Sequence, residues 1–467
     1  MFKNTIKASY KGLIIEPAIV NFAAGRILTK VNTPFPQAKI ETYIKYRLFH
    51  IKPAIEITTK LFRKHYKCGR CLNDQQSKFI HFDCAKCDQI CTYCRHCIAM
   101  GRIISCANLI AWNGPQPHIS KNHEMCWDGT FTKLQARASQ ELSDSIAAKR
   151  QHLIHAVCGA GKTEILFTAI YKALKKGLRI CVATPRTDVV LELFPRFQKV
   201  FPNTILHALY GGGPEQKGYP QLVLATTHQL YRFEHAFDVM IVDEADAFPY
   251  TFDSALQKAV QKAKKPNAPV AYVTATPSEK LLAYKEGYSF IPKRYHNFPL
   301  PVPRFSSLWN YEKQIKKEQL PTKLMEWTKQ RLASEEPFLI FFPTIDLLEK
   351  AMPLFQKLHA SITSVHAEDV NRKEKVMQLR NAEIPGLLTT TILERGITIK
   401  NVQVAVVGAE SSIFTASALI QIAGRVGRNA HFHGGDIVFY HHGITTEMDS
   451  AKEEIENLNE LGFGGEL

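Results

Sequence analysis

The chain has 467 residues, 45% of them apolar, and a formal net charge of +16 at pH 7. That length exceeds a single hydrophobic core and predicts two or three domains; the apolar share is that of an ordinary folded protein. No apolar run approaches the ~18 residues a membrane span needs, and the early stretch from Gly12 to Val20 is broken by Glu16 and Pro17, which makes it a poor secretion signal.

In chain order, the charge comes first. Residues 1–67 carry thirteen Lys/Arg against three Asp/Glu. Such a field attracts polyanions, nucleic acid before an anionic membrane surface. Residues 1–60 offer no catalytic group and read as a small basic accessory domain or arm.

Residues 61–126 form a cysteine module. Seven of the eleven cysteines lie between Cys68 and Cys97. Without a secretion signal this density points to metal rather than disulfides, and to a reducing cytoplasm. Thiolates two residues apart grip one Zn²⁺ from a tight turn, and two such knuckles complete a tetrahedral shell. The preferred set is Cys68, Cys71, Cys94 and Cys97. Cys84 and Cys87 are a rival pair, which leaves Cys91 spare and Cys106 and Cys126 unassigned. His81 and His96 are possible substitutes, although a lone His is more often a surface or core residue. Cys158 and Cys181 read as packing.

From 127 to 300, short apolar runs alternate with amphipathic ones. The predicted strands are Leu153–Val157, Ile180–Ala183, Leu222–Ala225, Val239–Val242 and Val270–Val273, the pattern of a parallel α/β sheet with its functional loops at the strand C-terminal ends. A Pro-rich stretch from Pro292 to Pro303 reads as a linker. From 301 to 467 a second set follows: Phe338–Phe342, Ile362–Val365, Leu387–Thr390, Val402–Val407 and Ile437–Tyr440. The acidic tail after Met448 reads as a helix with a solvated face.

The chemistry sits at the strand ends. Strand 153–157 runs into Cys158-Gly159-Ala160-Gly161-Lys162-Thr163 and then a helix, the context of a phosphate-binding loop. Gly159, Ala160 and Gly161 let backbone N–H groups curl around a phosphate at a helix N-terminus. Lys162 reaches the β- and γ-phosphates, and the Thr163 hydroxyl ligates Mg²⁺. Asp243 and Glu244, ending strand 239–242, are placed to hold Mg²⁺ and to activate the attacking water. Hydroxyls and a cation at further strand ends (Thr184, Arg186, Thr226, Thr227, Thr390 and Thr391) suit the phosphates of a nucleic-acid backbone. In the second set, which has no phosphate loop, Gln421-Ile-Ala-Gly424-Arg425-Val-Gly-Arg428 places Arg425 and Arg428 on one helical face at i, i+3, where closure of a cleft would present them to a γ-phosphate.

Together, the phosphate loop, the DEAD tetrapeptide Asp243–Asp246, Thr274-Ala275-Thr276 and QxxGRxGR at Gln421–Arg428 resemble a superfamily-two helicase. More narrowly, Tyr93–Cys97, Trp127–Gly129, Ala156–Glu164, Ala183–Leu193, Val242–Tyr250, Thr389–Thr398 and Gly408–Phe414 resemble the late competence protein ComFA family of naturally transformable Gram-positive bacteria. The resemblance covers about residue 60 to the C-terminus. It implies two tandem RecA-like parallel-sheet lobes behind an N-terminal zinc module. It also implies an ATP- and Mg²⁺-dependent motor that drives single-stranded DNA into the cytoplasm at the inner face of the membrane, working with a membrane DNA channel and other competence proteins. The family's zinc pairs match Cys68/Cys71 and Cys94/Cys97, and the wider superfamily implies that Gln135 reads adenine. The residue-level alternatives are an RNA helicase, a zinc-bearing DNA-binding scaffold whose ATPase gates assembly, and a primosome-like helicase, whose zinc sites would lie elsewhere in the chain.

Overall fold

The computed structural model describes residues 13–214, 216–283, 286–395 and 398–464. The first twelve residues of the basic N-terminal region and Gly396 lie outside the described residues. The chain falls into two compact units: the stretch through Thr130 with Ser139–Ile154 and Leu166–Tyr288, and Phe131–Ala138 with His155–Ile165 and Ser289–Leu467.

Residues 13–112 build a small layered domain. Helices α1 (Pro17–Ala23) and α2 (Gln37–Lys45) accompany strands β1 (Ile27–Thr29) and β2 (Phe49–Pro53). Two antiparallel ribbons follow, β3 (Ile55–Lys60) with β4 (Arg63–Cys68), and β5 (Phe79–Cys84) with β6 (Gln89–Cys94). Strand β7 (Asn108–Trp112) returns between β1 and β2 in a three-stranded sheet. Ile19, Ile40, Tyr43, Phe49 and Ile110 form its core.

After helix α3 (Lys133–Ala147), strand β8 (His152–Ala156) opens a seven-stranded sheet. It continues through helix α4 (Lys162–Lys175), β9 (Ile180–Thr184), helix α5 (Thr187–Val200), β10 (Leu206–Leu209), β11 (Leu222–Thr226), β12 (Val239–Asp243), helix α6 (Ser254–Ala263), β13 (Val270–Thr274) and β14 (Tyr288–Ile291). The strand order is β10-β11-β9-β12-β13-β8-β14. Every residue of β8, β9, β11, β12 and β13 is buried, which is why each reads as an unbroken apolar run.

The second sheet holds β15 (Arg304–Ser307), β16 (Phe338–Phe341), β17 (Thr363–Val365), β18 (Gly386–Thr389), β19 (Gln403–Val407) and β20 (Ile437–His441), in the order β15-β20-β19-β16-β18-β17, with every pair parallel. Three of its helices start on side-chain caps: Thr344 accepts from Leu347 N, Thr415 from Ala418 N and Thr445 from Met448 N. These are two RecA-like parallel-sheet lobes with an N-terminal cysteine module.

Two expectations change. The acidic tail is a helix, Thr446–Phe463, but its face of Met448, Ala451, Ile455 and Leu458 is buried, so only the opposite side is solvated. The Pro-rich stretch is a docked strap rather than a free linker, since Leu300 N–H donates to Asn459 Oδ1 (2.7 Å) and Asn459 Nδ2 donates back to Leu300 O (2.8 Å).

Candidate ATP site and cysteine centres

The phosphate loop follows β8 because two glycines take conformations closed to other residues. Gly159 has φ +85° and Gly161 φ +77°. A Cβ on Gly161 would lie 2.4 Å from Gln135 Nε2. Gln135 is buried; it donates to Ala160 O (2.8 Å) and accepts from Thr132 N (2.8 Å). Its amide holds the loop from behind. Loop and strap also join, with Tyr295 N donating to Gly159 O at 3.0 Å.

The QxxGRxGR segment lies in the same compact unit as the loop. Cys158 Sγ donates to Gln421 Oε1 at 3.0 Å, so Cys158 has a polar contact beyond simple packing. A Cβ on Gly424 would lie 2.5 Å from Cys158 Cβ. The helix Ala416–Ala423 ends before the arginines. Gly427, at φ +68°, closes the turn that follows, and a Cβ there would lie 2.2 Å from His433 O. Arg425 and Arg428 therefore project from a turn, not from one helical face. Arg425 Nε donates to Glu394 O and Arg428 Nε to Gly424 O, both at 2.9 Å.

Arg294, which no motif marks, is only 2% exposed. Its Nη1 donates to Val426 O (2.8 Å) and Gly427 O (2.7 Å), and its stem lies 3.5 Å from where a Gly159 Cβ would be. Burial, then the Arg428 charge, pushes its pKa down to about 10. Its Nε and Nη2 are buried without a hydrogen-bond partner among the described residues. Buried donors without a partner beside a glycine loop fit an anionic phosphate. The residues present thus fit the phosphates of a nucleotide.

In the other unit, Asp243 is 7% exposed and its Oδ1 accepts from Glu244 N (3.0 Å). Glu244 has φ +54°, a strained setting for a side chain with a Cβ. Thr276 Oγ1 donates to Asp246 Oδ2, and Ala245 N to Val273 O (3.1 Å), so the TAT run braces the DEAD turn. Thr184, Thr226 and Thr227 are buried; Arg186, Thr390 and Thr391 are half-buried.

The cysteines form two groups. In the first, Cys68, Cys71, Cys94 and Cys97 are all buried, with sulfurs within 4.8 Å of one another; Cys68–Cys97 is 3.8 Å and Cys71–Cys94 is 3.7 Å. A tetrahedron with Zn–S of about 2.3 Å has edges of roughly 3.8 Å. Arg70 Nη2 donates to Cys97 Sγ at 3.1 Å. The neighbouring thiols, Cys68 first, hold the Cys97 thiol well below its ordinary range, and the Arg70 charge adds to this. This set fits zinc. His81 and His96 are elsewhere, bound to Thr92 Oγ1 and to Tyr231 OH with Asp253. The second group joins Cys84 and Cys87 to Cys91 and Cys106. Cys91 opens a C-x-x-C with Cys94, yet the two belong to different groups, so spacing alone does not assign Cys91; Cys106 stands in no such pair.

Comparison with known proteins agrees with this geometry. Residues 128–279 match the description "Type III restriction enzyme, res subunit" and 317–430 match "Helicase conserved C-terminal domain". The Mycobacterium smegmatis helicase Lhr bound to single-stranded DNA and AMP-PNP superposes with TM-score 0.53 at 16% identity, over 72% of this chain and 50% of that one. Yeast Dbp5 bound to RNA and ADP BeF3 gives 0.51 at 13%, over 70% and 91%. Fold and domains define a two-lobed, ATP-dependent helicase-type hydrolase.

Its N-terminal part narrows the class. Residues 12–111 match the "Competence protein ComFA N-terminal domain". Competence protein ComFA of Bacillus subtilis is 42% identical over 440 residues, 93% of this chain and 94% of that protein; its Streptococcus pneumoniae counterpart is 37% identical over 79% and 85%. The chain belongs to the competence protein ComFA family.

Proposed function

We propose that this protein is an ATP-driven single-stranded-DNA translocase that powers DNA uptake during natural transformation. The supporting observation is the compact arrangement in which the phosphate loop, the Arg294 strap and the QxxGRxGR turn touch one another. Linkage of this kind ties the hold on a phosphate to the second-lobe turn.

When bound, ATP with Mg²⁺ supplies the energy of phosphoryl transfer. Lys162 and the loop N–H groups bind and orient the phosphates; Thr163 and Asp243 hold Mg²⁺; Glu244 takes a proton from water; Arg425 and Arg428 meet the charge that develops on the γ-phosphate. Gln135 sets the loop and reads adenine. Thr184, Arg186, Thr226, Thr227, Thr390 and Thr391 mark the loops that grip the strand. Zn²⁺ sits on Cys68, Cys71, Cys94 and Cys97. Among the described residues no helix is long and apolar enough to cross a membrane. On this reading the protein works as a peripheral partner of a membrane DNA channel and other competence proteins.

The test is ATP hydrolysis by the purified full chain with single-stranded DNA, duplex and RNA in parallel. Single-stranded DNA is expected to stimulate most. Equal or greater stimulation by RNA would replace the proposal with an RNA helicase. Glu244→Gln is expected to lower kcat by roughly 10²–10⁴-fold, and a strain carrying it should fail in DNA uptake. Uptake that survives without turnover would leave a scaffold with a gating ATPase.

A further inference from the structure

We propose that Cys84, Cys87, Cys91 and Cys106 form a second zinc site, so that the N-terminal module holds two metal ions with separate structural tasks. Their sulfurs all lie within 4.8 Å of one another, with Cys84–Cys106 at 3.8 Å and Cys87–Cys91 at 3.4 Å. These separations bracket the edge, roughly 3.8 Å, of a zinc–thiolate tetrahedron. They are far longer than the roughly 2.05 Å of a disulfide.

Hairpin register explains how one strand serves both centres. Cys91 and Cys94 are three residues apart on β6, so they point to opposite faces. Pairing sets Phe79 opposite Cys94, Phe82 opposite Cys91 and Cys84 opposite Gln89. Cys84 and Cys91 therefore share one face, and Cys94 lies on the other. Cys87 completes a knuckle at the hairpin tip, where Cys87 N and Asp88 N donate to Cys84 O at 3.2 and 2.9 Å. Cys106 arrives from the segment leading into β7, already tied to β6 by Ser105 N to Thr92 O (2.8 Å) and by Thr92 N to Ser105 Oγ (3.0 Å).

The two centres differ in surroundings. Cys68, Cys71, Cys94 and Cys97 belong to the same apolar core as Phe233, Phe237 and Leu256, and none of the other four cysteines does. The second ion thus clamps the tip of the β5–β6 hairpin to the root of β7, while the first holds the module to the lobe.

The experiment uses the full chain purified under reducing conditions, with zinc measured by plasma mass spectrometry and free thiols by a chromogenic disulfide reagent. Two zinc ions per chain are expected. Eight ligand cysteines are then shielded, and only the exposed Cys126 reacts rapidly, since Cys158 and Cys181 are buried. Cys84→Ser with Cys106→Ser is expected to lose one zinc and keep the other, to be cut several-fold faster after Lys86 at the hairpin tip, and to retain its ATP turnover. Cys126→Ser is the control and keeps both ions. A wild-type chain with one zinc, in which Cys87 and Cys106 react as readily as Cys126, overturns the proposal without touching the motor reading. So does a double variant whose zinc content is unchanged. The wild-type measurements decide the matter even if the variant does not fold.

Discussion

Arg294 spends one guanidinium nitrogen on two carbonyls of the QxxGRxGR turn and keeps two more buried beside the phosphate loop. Hydrogen bonds from a charged donor contribute about 1.5–3 kcal/mol each. Arg294→Met keeps the stem but strands the Val426 carbonyl, while Gly427 O keeps His296 Nε2 at 3.0 Å. We expect it to lower kcat/KM for ATP by roughly 10–100-fold, with Arg294→Lys recovering part of the loss; steady-state kinetics of the two variants decides this. Gly427→Ala should cost more than either, because its Cβ would meet the His433 carbonyl at φ +68°. The two residues were unequally legible. Gly427 stands in a motif whose spacing has a reason, whereas Arg294 is a lone arginine in a Pro-rich stretch. What makes it a site residue is a contact 132 positions away along the chain.

At the level of elements, the fully buried strands and the short edge strand β17 were readable as apolar runs, and β10, β14 and β15 were not. Strand β15 is nowhere buried, and β10 and β14 are only four residues long. The cysteine pairs were readable from C-x-x-C, but Cys91 and Cys106 were not, because their partnership depends on hairpin register. Strand β8 carries a further consequence. His152 is buried at its start, with Nδ1 2.9 Å from Ser145 Oγ. Burial holds its pKa down at about 4 instead of 6.5, with Glu141 raising it and Arg150 lowering it more weakly. Between pH 6.5 and 4 the unfolded chain therefore takes up a proton that the folded chain refuses, and stability falls as pH falls. The loss reaches about 3 kcal/mol at the bottom of that window and is absent above it. His152→Gln should remove this part of the slope. Urea midpoints of wild type and variant, measured from pH 7 to 4, should diverge progressively in the variant's favour; parallel curves would show that His152 is not the titrating group.

At the scale of the molecule, the cysteine module is no detachable bead. The sulfurs of Cys68, Cys71, Cys94 and Cys97 share one core with Tyr231, Phe233, Phe237 and the inner face of α6. Lys262, on that helix and nearly buried, donates from Nζ to the carbonyls of Arg70 and Tyr231, so a single cation joins the Cys68–Cys71 knuckle to the lobe. A salt bridge between Lys52 and Glu234 (2.6 Å) adds a second tie. A structural zinc contributes folding energy outright, and an ion held by these cysteines would share that energy with the sheet that carries Asp243. Cys71→Ser should therefore lower the first unfolding transition of the full chain on the order of 10 °C, and ATP turnover should fall with it. Lys262→Met leaves two buried carbonyls without their donor and should cost about 2–4 kcal/mol with zinc still bound. Calorimetry and metal analysis on both variants separate loss of the ion from loss of the weld. If removing zinc leaves the melting of the lobe unchanged, the shared core is not one cooperative body.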